Sequence, residues 1–106
     1  MAGGWILVDT RSSDALRADG TIPGSIHVPL SELEWRVDPA SGDQDPRIAG
    51  REDRIILLCA GGYSSSLAAI RLHEIGFRET TDVIGGFAAW RDEGLPVDLL
   101  PGPRGL

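Results

Sequence analysis

Lysine is absent from the chain: all ten basic residues are arginine, set against sixteen Asp and Glu. Two chemistries are removed at once. A phosphate-binding loop of the Walker type needs its lysine, and Schiff-base catalysis needs a side-chain amine. With a formal net charge of −6 and no basic cluster, neither nucleic acid nor an anionic membrane is expected as a partner. Cysteine is nearly absent too. The single Cys59 cannot close an internal disulfide, so nothing demands an oxidising compartment. One cysteine and two scattered histidines, His27 and His73, do not make a metal site, and neither metal nor cofactor is expected. No apolar run approaches the roughly 20 residues of a membrane-spanning helix. The stretch up to Trp5 lacks the basic and apolar regions of a secretory leader, so a cytoplasmic protein is the expectation.

What remains is a chain of 106 residues, 42% hydrophobic and 25% charged, which suits one soluble domain with one core. The domain is expected over residues 1–100, with residues 101–106, rich in Pro and Gly, as a flexible tail. Trp5 to Val8 is a short apolar strand, and Ser12, Ser13 and Asp14 supply caps for a helix through Arg17, stopped at Asp19 and Gly20. Ser25 to Val28 is a brief strand closed by Pro29. Ser31 to Glu34 spells a capping box, predicting a helix to about Val37, before Pro39. Asp38 to Asp53 is rich in Asp, Gly and Pro and reads as a long exposed loop with one helical turn near Ile48. Leu67 to Ile75 forms a mostly apolar helix ended by Gly76, with Phe77 packing back. Asp82 to Ile84 is the next strand, and Gly85 and Gly86 lead into a helix from about Phe87 to Glu93, with Gly94 as its stop. Strands alternating with helices predict an α/β fold, a small parallel β-sheet flanked by helices on both faces.

The stretch from Ile55 to Ile70 organises the rest. Ile55 to Leu58 reads as a strand buried on both faces, with Cys59 at its carboxyl end. Gly61, Gly62, Tyr63, Ser64 and Ser65 follow, and then a helix. Strand, tight loop and helix aim backbone N–H groups inward at a helix N-terminus, where negative charge is favoured. A thiol held there ionises more readily than free cysteine, whose pKa is about 8.5. A lone cysteine after an apolar strand is, without context, a small core residue; the glycine–serine loop and the helix behind it point instead to a presented thiolate. Gly61 and Gly62 let the loop turn and bring amides toward the sulfur. Ser64 and Ser65 can donate hydrogen bonds to sulfur, cap the helix, or do both. Tyr63 reads equally as a residue of the pocket mouth or of the solvent face. His27 and His73 have no motif linking them to Cys59 and read as packing or surface residues. A cysteine phosphatase would need arginine six positions after the nucleophile, where Ser65 stands. A serine-hydrolase elbow would need a second glycine where Ser66 stands.

Four pieces, in order, resemble a rhodanese domain, a single-domain sulfurtransferase. They are Asp9-x-Arg11 after the first strand; Thr21 to Ser25 with Pro29; the loop Cys59 to Ser65; and Gly85-Gly86-x-x-x-Trp90 with Gly94, Leu95 and Pro96. The match spans residue 5 to about residue 97. The resemblance implies a sulfurtransferase that moves a sulfane sulfur from thiosulfate or another donor to cyanide or a thiol through a Cys59 persulfide. Ala60, Gly61, Gly62, Tyr63, Ser64 and Ser65 would line its substrate site. It implies Arg11 as a structural partner for a carboxylate, and no metal. The expected partners are a small sulfur-containing anion or a thiol, and a protein that donates or accepts sulfur. Three features depart from the family pattern: its first strand and helix are expected to be missing before Trp5, Thr21 replaces histidine, and Ala60 stands where many thiosulfate-using members carry arginine. The last removes a bidentate anion binder beside the nucleophile. A sulfur carrier or binding module acting within a protein complex is therefore the alternative reading, and redox sensing by Cys59 would need a resolving thiol from a partner.

Overall fold

The computed structural model describes residues 4–99, so the expected tail at 101–106 lies outside the described residues. Four strands form one sheet: β1 (Ile6–Asp9), β2 (Ile26–His27), β3 (Ile55–Leu58) and β4 (Thr81–Asp82). Four α-helices accompany them: α1 (Ser13–Asp19), α2 (Leu33–Val37), α3 (Tyr63–Glu74) and α4 (Gly86–Asp92). The strand order is β2-β1-β3-β4, and every pairing is parallel. β1 and β3 sit in the middle and pair along their whole length, from Ile6 opposite Ile55 to Asp9 opposite Leu58. Both are nearly continuous apolar runs, as a strand covered on two faces requires.

Alternation along those strands divides the core in two. Ile6, Val8, Ile55 and Leu57 face one side, where they meet Leu33 and Val37 of α2 and Ala68, Ala69 and Leu72 of α3. Leu7 and Leu58 face the other, against Ile22 and Phe87, with Trp90 and Val97 packed alongside. Helices therefore cover both faces, as the sequence predicts. Asp98 pairs with Thr21 in an isolated antiparallel bridge, which brings the C-terminal segment beside the turn before β2.

Local signals explain the helix ends. Ser12 caps α1, its hydroxyl accepting the Ala15 N–H at 3.1 Å. α3 ends at Ile75 and Gly76, whose φ is 110°, and the Phe77 N–H returns to the Leu72 carbonyl at 2.9 Å. That is the six-to-one closure of a Schellman motif, with Phe77 packed on the core.

Three expectations are corrected. The capping box at Ser31 does not form. Pro29 starts a 3-10 turn over Leu30–Glu32, its carbonyl accepting the Glu32 N–H, so the chain is already turning when it reaches Ser31. The segment from Asp38 to Asp53 is not simply exposed. Asp45 is buried, its carboxylate holding Arg47 by two side-chain bonds and its own N–H donating to the Arg36 carbonyl; together these drive Ile48 into the core at 0% exposure. The same Arg47 hydrogen bonds outweigh burial and hold the Asp45 carboxyl below its usual range. Finally, β4 is Thr81–Asp82 rather than Asp82 to Ile84, because Val83 gives the last sheet bond, to the Leu57 carbonyl, and Ile84 turns outward at 90% exposure.

The placement of Ile48 gives a test of the fold. Replacing it with alanine leaves a cavity beneath α2 and α3, and we expect a loss of about 2–4 kcal/mol in denaturant unfolding. A loss under ~0.5 kcal/mol, the size of a surface change, would mean that the loop lies off the core.

Candidate active site

β3 carries the chain to the carboxyl edge of the sheet and ends one residue before Cys59, which is 5% exposed. Ligands in open parallel sheets gather at this edge. Ala60 and Gly61 are exposed, Gly62 turns the chain with φ of 95°, and α3 begins at Tyr63. The turn folds amides back onto the sulfur. The Gly62 N–H lies 3.0 Å and the Ser65 N–H 3.4 Å from Cys59 Sγ, and the thiol faces Ser65 Oγ at 3.2 Å. Burial pushes the thiol pKa up. Hydrogen bonds from the Ser64 and Ser65 side chains and from the Ser65 and Gly62 amides outweigh it, leaving the pKa below the usual thiol value. The α3 dipole, positive at this end, acts in the same direction.

The loop keeps its shape because α4 holds it from outside. The Phe87 N–H donates to the Cys59 carbonyl at 2.8 Å, and the Ala88 N–H to the Ala60 carbonyl at 3.0 Å. Such an approach leaves no room for side chains. A Cβ on Gly86, whose φ is 61°, would collide with the Cys59 carbonyl oxygen and stand 2.7 Å from the Gly62 nitrogen. A Cβ on Gly62 would stand 2.7 Å from the Gly85 nitrogen. The glycine pair ahead of α4 therefore serves the cysteine loop.

Of the residues picked from sequence, Cys59, Gly62, Ser64 and Ser65 come together around the sulfur. Ala60 and Gly61 lie at the mouth, and Tyr63 is 79% exposed, on the solvent side of the alternatives left open for it. His27 and His73 each direct Nε2 at a backbone carbonyl, of Arg11 and Thr80 respectively, at 2.6 Å. A carbonyl only accepts, so in both rings Nε2 carries the hydrogen. Arg11 grips Asp9 through Nε and Nη2, donates to the Gly20 carbonyl and stacks on the Phe87 ring at 3.8 Å. Among the described residues no group of three or more His, Cys, Asp and Glu could hold a metal ion.

One neighbour was missed. Asp82 brings Oδ2 to 3.3 Å from Ser65 Oγ. It reaches the site through the pairing of Leu57 with Asp82 between β3 and β4, a register that no motif around Asp82 announces.

Known proteins resemble this chain in sequence and in fold. The family model for the rhodanese-like domain matches residues 1–93. An HTH-type transcriptional regulator of Mycobacterium tuberculosis is 36% identical over 98 residues, covering 92% of this chain and 39% of the regulator. The adenylyltransferase and sulfurtransferase MOCS3 of Oryza sativa is 35% identical over 100 residues, covering 90% of this chain and 22% of the relative. The chain thus spans well under half the length of either. Among solved structures, a protein of unknown function from Rhodopseudomonas palustris, described as a possible tyrosine phosphatase, superposes with a TM-score of 0.83. It is 37% identical, with 92% of this chain and 73% of that one covered.

The bonds to Sγ predict a specific titration. A thiol whose pKa is lowered on folding adds stability that is fully present above the unfolded thiol pKa and is lost as pH falls through the folded value. Alkylation of Cys59 by iodoacetamide, followed against pH, should show a midpoint below that of the denatured protein, and Ser65→Ala should raise it. A native midpoint equal to or above the denatured one would contradict this account of the loop.

Proposed function

The chain belongs to the rhodanese-like domain family, and from that premise we propose that it is a sulfurtransferase carrying sulfane sulfur as a persulfide on Cys59. The observation that supports this most is the set of polar groups converging on one buried sulfur: the Gly62 and Ser65 amides, which donate to it, and the Ser65 hydroxyl 3.2 Å away. In the loading step the Cys59 thiolate attacks the outer sulfur of the donor. With thiosulfate, the new S–S bond forms as the old one breaks, sulfite leaves with the bonding pair, and the enzyme keeps a persulfide anion. In the second step cyanide or a thiolate attacks the outer sulfur, and Cys59 leaves as the thiolate it began as. No general base is required once the thiol has ionised. The loop amides serve both anionic states, since they are fixed donors that need not reorganise as charge moves onto the outer sulfur.

Phosphate chemistry fits poorly, although the Rhodopseudomonas relative is described as a possible tyrosine phosphatase. The sixth position after the cysteine, where a phosphatase needs arginine, is the fully buried Ser65.

A specific observation favours a second reading of the donor. The loop from Cys59 to Ser66 contains no basic residue, and Ala60 at its mouth offers nothing to clamp a small dianion. Sulfur passed from a protein or from a bound thiol needs no such clamp. On this reading the domain is a carrier fed by a protein partner, and the rice relative, a longer protein named for both adenylyl transfer and sulfur transfer, is consistent with that arrangement.

Intact-mass measurement separates the readings. Incubation with thiosulfate should add one sulfur to the wild type, and cyanide should remove it with release of thiocyanate. Cys59→Ser should fold and gain none. A wild type that gains no sulfur while Cys59 remains open to alkylation would exclude thiosulfate and favour the partner-fed carrier. Sulfur gained by the Cys59→Ser protein would overturn the assignment of the nucleophile.

A further inference from the structure

One charged side chain lies within reach of the sulfur's surroundings and has no part in the steps above. Asp82, the last residue of β4, sets Oδ2 3.3 Å from Ser65 Oγ. That hydroxyl is also 3.2 Å from Cys59 Sγ and 3.4 Å from the Gly62 carbonyl oxygen. Ser65 is 0% exposed, so its hydrogen bonds are those the surrounding protein groups offer. A serine hydroxyl has a single proton to give and two lone pairs to receive with. The Asp82 carboxylate and the Gly62 carbonyl can only accept. The sulfur donates while it is a thiol and accepts once it is a thiolate or a persulfide anion.

These facts fix how the hydroxyl turns. A carboxylate is a stronger acceptor than a peptide carbonyl, so at rest the Ser65 proton goes to Asp82. A Ser65 lone pair then faces the sulfur and receives the thiol hydrogen, and all three groups are satisfied with Cys59 protonated. On ionisation the sulfur becomes an acceptor and competes with Asp82 for the same proton. We propose that Asp82 is a positioning residue that acts through the Ser65 hydroxyl, holding it turned from the sulfur while Cys59 is a thiol and yielding it when the sulfur becomes an anion. Asp82 thereby tempers the help that Ser65 gives to ionisation, and it sets how much of Cys59 is thiolate at neutral pH. This rests on the reading of Cys59 as the reacting group.

Other ionisable groups on the elements around the sulfur are engaged elsewhere or face solvent. On α3, Tyr63 and Glu74 are solvent-exposed, Arg71 pairs with Glu34, and His73 bonds to the Thr80 carbonyl. On α4, Arg91 lies 3.6 Å from Asp92. Arg11, which stacks on Phe87, is held by Asp9. Asp82 is the charged residue in hydrogen-bond contact with the serine that touches the sulfur.

The test is the pH dependence of Cys59 alkylation by iodoacetamide in the wild type, Asp82→Asn, Ser65→Ala and the double variant. Cys59 is the only cysteine, so no other thiol reports. Asp82→Asn keeps the shape and removes the charge. We expect its midpoint to fall, with alkylation about three- to tenfold faster below the wild-type midpoint. In the Ser65→Ala background the same change should have little effect, a dependence that a merely structural role would not produce. Asp82→Ser, shorter and equally uncharged, should shift the midpoint the same way and serves if the asparagine variant folds poorly. A midpoint that stays or rises in both Asp82 variants would overturn the proposal. So would an equal fall with and without Ser65, since the carboxylate would then act through space. Alkylation needs no sulfur donor, so the two readings fail separately. A shift that depends on Ser65, in a protein that takes up no sulfur from any donor, keeps Asp82 in its role and removes the persulfide.

Discussion

The loop around Cys59 can exist only because no side chain stands between it and the start of α4. Gly86 lies against the Cys59 and Ala60 backbone, and Gly62 against Gly85, at distances no Cβ could share. That contact lets the first amides of α4 reach the Cys59 and Ala60 carbonyls. With those carbonyls held outward, the amides of Gly62 and Ser65 are left to face the sulfur. The geometry of the nucleophile is thus set by two strand-to-helix turns pressed together, one from β3 into α3 and one from β4 into α4.

The rest of the fold keeps those two turns in place. β3 is central in the sheet, with Ile55, Leu57 and Leu58 buried, so its carboxyl end is a rigid mount for Cys59. Phe87 fills the core on the face opposite α3, and the Arg11 guanidinium lies on its ring. Arg11 is in turn fixed by Asp9 at the end of β1, in a buried bidentate pair. Breaking such a pair by removing one partner costs roughly 3–5 kcal/mol, because the other charge is left buried alone. The Arg71–Glu34 pair between α3 and α2 is different. Both groups are 41% exposed, and its contribution is small.

Much of this was legible in the sequence because it is written in short-range chemistry. A β-branched run before Cys59, the paired glycines and the serines after it, and the Gly76–Phe77 stop each act within a few residues. Each element stands close to where the pattern puts it. What could not be read depends on distant partners. Ile48 sits alone among Asp, Gly and Pro, without the periodicity that marks a core element, and is buried because Asp45 folds its loop back onto Arg36 and Arg47. Ser31 matches a capping box, but Pro29 starts the turn ahead of it. Asp82 enters the site through strand register, and its neighbour Ile84, apolar enough to extend the strand, is almost fully exposed instead. The role of Gly85 and Gly86 was visible as a motif, while its cause, the approach to the cysteine loop, appears only in three dimensions.

The central claim is that the backbone of the loop holds an anionic sulfur. Amide proton and nitrogen shifts of Gly62 and Ser65, followed by nuclear magnetic resonance as Cys59 titrates, test it most directly. The account predicts that both amides move with a single midpoint, matching that of Cys59 alkylation, and that both stay still in Cys59→Ser. Amides that do not respond while the thiol ionises would mean that the negative charge is held by something other than this loop.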